Sequence, residues 1–175
     1  MLRKLVAYDI IKEVQIRRII MIKILFICHG NICRSPMAEF IFKDMVKKMV
    51  AEDDFYIESK ATSYEEIGNG VYPPVKRILK DMGIETNGKT ACRTDKKDYS
   101  DFDFIIGMDS MNIKNMLRIY GGDPDNKIFK LMKFAGSGAD VSDPWYTSEF
   151  MKTKSDVIKG LEGFILYLKE KGYLK

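Results

Sequence analysis

The stretch IKILFICHGNICRSP, Ile22–Pro36, decides the fold. Ile22–Ile27 is an apolar run interrupted only by Lys23, the pattern of a parallel strand buried on both faces. Pro36 suits the first position of a helix, where a missing N–H costs nothing. Between them stand two of the chain's three cysteines, together with Gly30, Asn31, Arg34 and Ser35. A strand handing over to a helix through such a loop predicts a βα unit. In a parallel sheet that loop lies at the carboxyl edge, where ligands bind.

Outward from this unit the alternation repeats. The spacing of Met37, Phe40, Ile41, Met45, Val46 and Met49 predicts a helix over Met37–Val50. Phe55–Ser59 reads as a short strand and Tyr64–Tyr72 as a loop. Pro73 and Pro74 open a helix, Val75–Met82, that Gly83 closes. Phe102–Met108 predicts a third strand, followed by a helix over Ser110–Tyr120 that Gly121 and Gly122 stop. Lys127–Met132 reads as the fourth strand and Phe134–Pro144 as a loop. A last helix is expected from about Ser148 to Lys171, with Val157, Ile158, Leu161, Phe164, Ile165 and Leu168 inward. The expected fold is α/β: a three-layer, doubly wound, four-stranded parallel sheet flanked by helices.

The loop after Ile27 has the parts of an anion site with a nucleophile at its base. Cysteine attacks as the thiolate, which needs help to form near neutrality. A helix N-terminus offers unpaired N–H groups and a dipole that favours negative charge. Gly30 and Asn31 can take the positive φ that curls a short loop with its amides inward. Ser35 can donate a hydroxyl proton to sulfur, and the planar fork of Arg34 matches two phosphate oxygens. A phosphoryl group is the natural guest. The plainer alternative makes Cys28 a buried strand-end thiol and Arg34 a surface residue.

Composition bounds the rest. The 175 residues suit one domain with a full-sized core, and 46% hydrophobic with 31% charged residues is ordinary for a globular protein. A net charge of +4 without blocks of like charge does not argue for nucleic acid and mildly favours anionic substrates. Three cysteines and one histidine make a disulfide scaffold or a metal centre unexpected. They point instead to a reducing, cytoplasmic setting. Charges recur through residues 1–20, so neither a membrane span nor a signal-peptide core is expected there. Those residues read as an N-terminal extension, with a roughly amphipathic pattern, to a domain spanning 21–175.

The segment CHGNICRSPMAE, Cys28–Glu39, closely resembles the signature of the low-molecular-weight protein tyrosine phosphatases. The likeness continues in SKATSYEEIGN (Ser59–Asn69), PPVKRILKDMGI (Pro73–Ile84), FDFIIGMDSMN (Phe102–Asn112) and DPWY (Asp143–Tyr146). It implies cofactor-free and metal-free hydrolysis of phosphotyrosine in a protein or peptide, through a phosphocysteine intermediate. Cys28 would be the nucleophile. Arg34 and the amides of His29, Gly30, Asn31, Ile32, Cys33, Arg34 and Ser35 would hold the phosphate. Asp143 would be the general acid; without the resemblance it would read as the aspartate of an Asp-Pro turn.

Asn31, Ser35, Ser59 and Asp109 would support the loop, with helix capping the other reading of Asp109. Trp145 and Tyr146 would line the cleft mouth, and Cys33 would pair reversibly with Cys28 under oxidation. Three positions depart from the pattern. His29 stands where an apolar residue is usual, Met82 where some relatives carry a buttressing histidine, and Glu65 at a commonly aromatic rim position that Tyr64 could fill instead. Three rival activities carry over with the resemblance. Arsenate reduction would need two further cysteines, and only Cys92 follows the loop. Arginine phosphatases carry threonine at the position of Ile32. A decayed phosphopeptide-binding module would not need Cys28, Arg34, Ser35 and Asp143 together.

Overall fold

The computed structural model describes residues 21–86 and 88–174; the expected extension 1–20 lies outside them. Four strands form one sheet: β1 Ile22–Cys28, β2 Phe55–Ala61, β3 Phe104–Gly107 and β4 Ile128–Lys130. All pairings are parallel and the order is β2-β1-β3-β4. The helices are α1 Arg34–Lys48, α2 Pro73–Asp81, α3 Asp98–Asp101, α4 Ser110–Tyr120, α5 Leu131–Phe134, α6 Pro144–Thr147 and α7 Phe150–Glu170.

The alternation of β1 sorts its side chains into two cores. Ile24, Phe26 and Cys28 join the larger cluster with Phe42, Phe104, Leu161 and Phe164, under α1 and α7. Leu25 and Ile27 face the other way, toward Ile105, Met116 and Tyr120. Both faces of the sheet are therefore covered, as an apolar run without a polar face requires. On α7, Val157, Leu161, Phe164 and Leu168 are buried, while Ile158 and Ile165 are partly so.

Several element boundaries differ from the sequence expectation. Helix α1 starts at Arg34, two residues before Pro36; the proline still sits in the first turn, where its missing N–H has no intrahelical role. The fourth strand stops at Lys130 because Leu131 and Met132 are both buried on one side, which a helical turn allows and strand alternation does not. The last helix begins at Phe150. Before it the short helix α6 is capped by Asp143 and ends at Ser148 in the left-handed region. Short helix α3 was not expected from sequence.

Chain order reverses between β1 and β3, which lie side by side while β2 flanks one and β4 the other. Register places Cys28 opposite Ala61 and Ile27 opposite Gly107, so the carboxyl ends of three strands meet at one edge. A Cβ on Gly107 would meet Met116, Ile113 and Asn112 at 2.9–3.2 Å. The glycine thus lets α4 begin close against β3 and brings Asp109 to that edge.

Candidate active site

The Cys28–Arg34 loop curls around the sulfur of Cys28. Asn31, in the left-handed region at φ 58°, turns its amide back to donate to Cys28 Sγ at 3.2 Å. The Ser35 hydroxyl donates to the same sulfur at 3.0 Å. Both bonds strengthen when sulfur carries negative charge. The amides of Gly30, Ile32, Cys33, Arg34 and Ser35 have no hydrogen-bond acceptor among the described residues. Unpaired amides curled above a sulfur, at the mouth of a 15-residue helix, form an anion-binding cup.

Arg34 closes the cup. It is 3% exposed, and its guanidinium donates from Nη1 to Asp109 Oδ2 at 2.6 Å and from Nη2 to Asp143 Oδ2 at 2.5 Å. Burial works against its charge, but Cys28, Asp143 and Asp109 outweigh that and raise its pKa above the ordinary arginine value. Asp109 has two tasks: its Oδ1 also accepts the Asn112 amide in a reciprocal capping box that starts α4. Asp143 likewise caps α6, accepting the Trp145 amide through Oδ1. Each aspartate is thus held by a helix start on one oxygen and offers the other to Arg34.

Behind the loop, Asn31 Nδ2 donates to Ser35 Oγ at 2.9 Å and to Ser59 Oγ at 2.8 Å, while Oδ1 accepts the Cys92 amide. Ser59 donates in turn to Glu39 Oε2 at 2.5 Å. Glu39 is buried, and Lys89 and Lys43 pair with it at 2.8 and 2.5 Å. Burial opposes the Glu39 charge; Lys89 and then Lys43 overcome it and hold the carboxyl below its usual range. Sequence reasoning assigned no role to Glu39 or Lys89. One signal was available: Ser35, Glu39, Phe42 and Val46 share one face of α1, and all four are buried. A glutamate on an otherwise core-facing stripe needs a cationic partner.

The cleft above Cys28 has a volume of about 250 Å³ and is bordered by Gly30, Ile32, Glu65, Glu66, Met111, Trp145 and Tyr146, among others. Trp145 is 56% and Tyr146 84% exposed, so both stand at the mouth rather than in a core. The Trp145 ring packs edge-on against Tyr72 at 5.6 Å. His29 also stands at the mouth, its Nε2 2.9 Å from Glu65 Oε2, while its carbonyl accepts the amides of Thr62 and Ser63. Tyr64 does not fill the Glu65 position; it lies under the Arg93 guanidinium, 4.3 Å away. Met82 is partly buried against the main core, away from the cleft lining. Cys33 precedes α1 as its N-cap, and its thiol is pushed up to about 12 by burial first and then by Cys28 and Asp143. All three cysteines are free thiols.

Residues 23–173 match the family model described as low molecular weight phosphotyrosine protein phosphatase. The chain is 35% identical over 156 residues to low molecular weight protein-tyrosine-phosphatase YfkJ of Bacillus subtilis, covering 88% of this chain and 100% of that one. The crystal structure of YfkJ superposes with a TM-score of 0.83 over 86% of this chain and 96% of that one. SP-PTP, the low molecular weight protein tyrosine phosphatase from Streptococcus pyogenes, is 40% identical with a TM-score of 0.75, covering 85% and 93% of the two chains. The Drosophila arginine phosphatase DARP is 27% identical with a TM-score of 0.77, covering 85% and 98%. With loop, arginine and paired aspartates in this arrangement and the match running through nearly every element, the chain belongs to the low molecular weight phosphotyrosine protein phosphatase family of hydrolases.

Proposed function

We propose that this chain hydrolyses phosphotyrosine in proteins and peptides through a phosphocysteine intermediate. One observation carries the reading: Cys28 Sγ receives two donors beneath a cup of unpaired amides that a buried Arg34 closes, with Asp143 on that same arginine. A phosphate dianion entering the cup takes the amides and the Arg34 fork. It displaces Asp143 Oδ2, and that carboxylate, now beside negative charge, takes up a proton from solvent before the chemical step. Sγ attacks phosphorus in line, the bond to the phenolic oxygen breaks, and Asp143 gives that oxygen its proton. A water then attacks phosphorus, loses its proton to Asp143, and returns Cys28 as the thiolate.

Ile32, Trp145 and Tyr146 give the cleft apolar walls that suit a phenyl ring better than a phosphoguanidinium. The likeness to an arginine phosphatase makes that the rival reading to test. Peptides carrying phosphotyrosine, phosphoarginine or phosphoserine, assayed side by side without added metal, separate the two. Phosphotyrosine is expected to turn over fastest, and Cys28→Ser to abolish its hydrolysis. Faster release from phosphoarginine, or activity that survives Cys28→Ser, overturns the reading.

A further inference from the structure

A phosphate in the cup takes the guanidinium from Asp143 Oδ2, and with it one of the ties that hold this carboxyl in place. The acid must then stay over the leaving oxygen on its remaining ties. Its Oδ1 accepts the Trp145 amide at 3.1 Å, so the position of Asp143 follows that of α6. Helix α6 is short: Pro144 is buried, while Trp145, Tyr146 and Thr147 are exposed. Upstream, the Val141 amide donates to the Met108 carbonyl and the Ser142 amide to Asp156 Oδ2. These bonds fasten the chain to the end of β3 and to α7.

Tyr72 fastens it to the phosphate loop. The Trp145 ring stands edge-on to the Tyr72 ring at 5.6 Å, and Phe150, the first residue of α7, stacks on the same ring at 6.0 Å. Tyr72 therefore packs against both sides of the turn that joins α6 to α7. Its amide donates to the Ile32 carbonyl at 2.9 Å, which pins its backbone to the loop that forms the cup. A chain of contacts thus runs from Ile32 through Tyr72 and Trp145 to Asp143 without passing through Arg34. Edge-on rings fix each other's tilt as well as their separation.

We infer that Tyr72 is a positioning residue for Asp143: through the Trp145 ring it keeps the acid at a set distance from the cup once phosphate has taken Arg34. The inference rests on the acid role proposed for Asp143. Tyr72 lies outside the residues bordering the cleft, so it acts through Trp145 and not on substrate. Its effect belongs to proton delivery and scales with the need of the leaving group for a proton.

The test measures kcat/KM, which covers the steps up to release of the phenol, for phosphotyrosine peptide and for p-nitrophenyl phosphate. Wild type is compared with Tyr72→Ala, Tyr72→Leu, Tyr72→Phe, Asp143→Asn and the double variant Tyr72→Ala/Asp143→Asn. The readout is the ratio of peptide to p-nitrophenyl phosphate within each variant, from which a loss of folded protein cancels. Loss of one aromatic pair predicts about a fivefold fall in that ratio for Tyr72→Ala. Tyr72→Phe keeps both ring contacts and should stay within about twofold of the wild-type ratio. Tyr72→Leu should fall between the two, and it carries the test if the alanine variant does not fold. In the Asp143→Asn background no proton can be delivered, so Tyr72→Ala should leave the ratio as it is. An unchanged ratio on removing the ring, a fall that phenylalanine shares, or a fall that persists in the Asp143→Asn background overturns the inference. Asp143→Asn alone bears on the acid role, which fails if that variant does not lower the ratio, so the two failures are distinguishable.

Discussion

Asp143 holds Arg34 Nη2 through one oxygen and the Trp145 amide through the other. To protonate a leaving group it must give up the arginine while the helix start keeps it in place. Asp143→Asn retains the cap but cannot deliver a proton. We expect kcat for phosphotyrosine peptide to fall by roughly 10²–10³, and to fall much less for p-nitrophenyl phosphate, whose leaving group needs little help. Equal losses on the two substrates would remove Asp143 from the acid role. Cys33 has a different limit: with its thiol pushed up to about 12, it is protonated at neutrality. Thiol–disulfide chemistry runs through the thiolate, so capture of an oxidised Cys28 by Cys33 is slow unless oxidation also reshapes the loop.

Helix α1 carries the loop at its N-terminus and a charged residue on its core face. The folded pKa of Glu39 lies below its ordinary value of 4.5, so its contribution to stability is present above that value and is lost as pH falls from there through the lower folded pKa. Glu39→Gln removes this dependence. The stability gap between wild type and Glu39→Gln should be widest near neutrality and close below about pH 4.5, read by urea denaturation across pH. Elements with a strong pattern were legible in the sequence, such as β1 from an apolar run broken only by Lys23 and α7 from its inward stripe. The short helices α3, α5 and α6 were not. At four residues each they have too few turns for a period to show, and side chains from distant segments hold them in place.

At the scale of the whole molecule, Phe164 joins the layers, packing its ring against Phe42, Phe104 and Phe134 at 4.6–5.4 Å. Phe164→Ala should cost about 3–5 kcal/mol, measured as a drop in denaturation midpoint at unchanged slope. The residues proposed for catalysis were legible because they sit in one contiguous loop or in a short Asp-Pro motif. Glu39 and Lys89 were not, because fifty residues separate them and charged side chains on helices and loops are usually solvated. Only the fold shows that a buried Glu39 meets a half-buried Lys89. The hold of Asp143 on Arg34 bears on turnover as a whole. After hydrolysis, inorganic phosphate faces an intramolecular competitor for the same guanidinium, one that never diffuses away. Such a competitor is expected to speed expulsion of the product and to raise the phosphate concentration needed to saturate the cup.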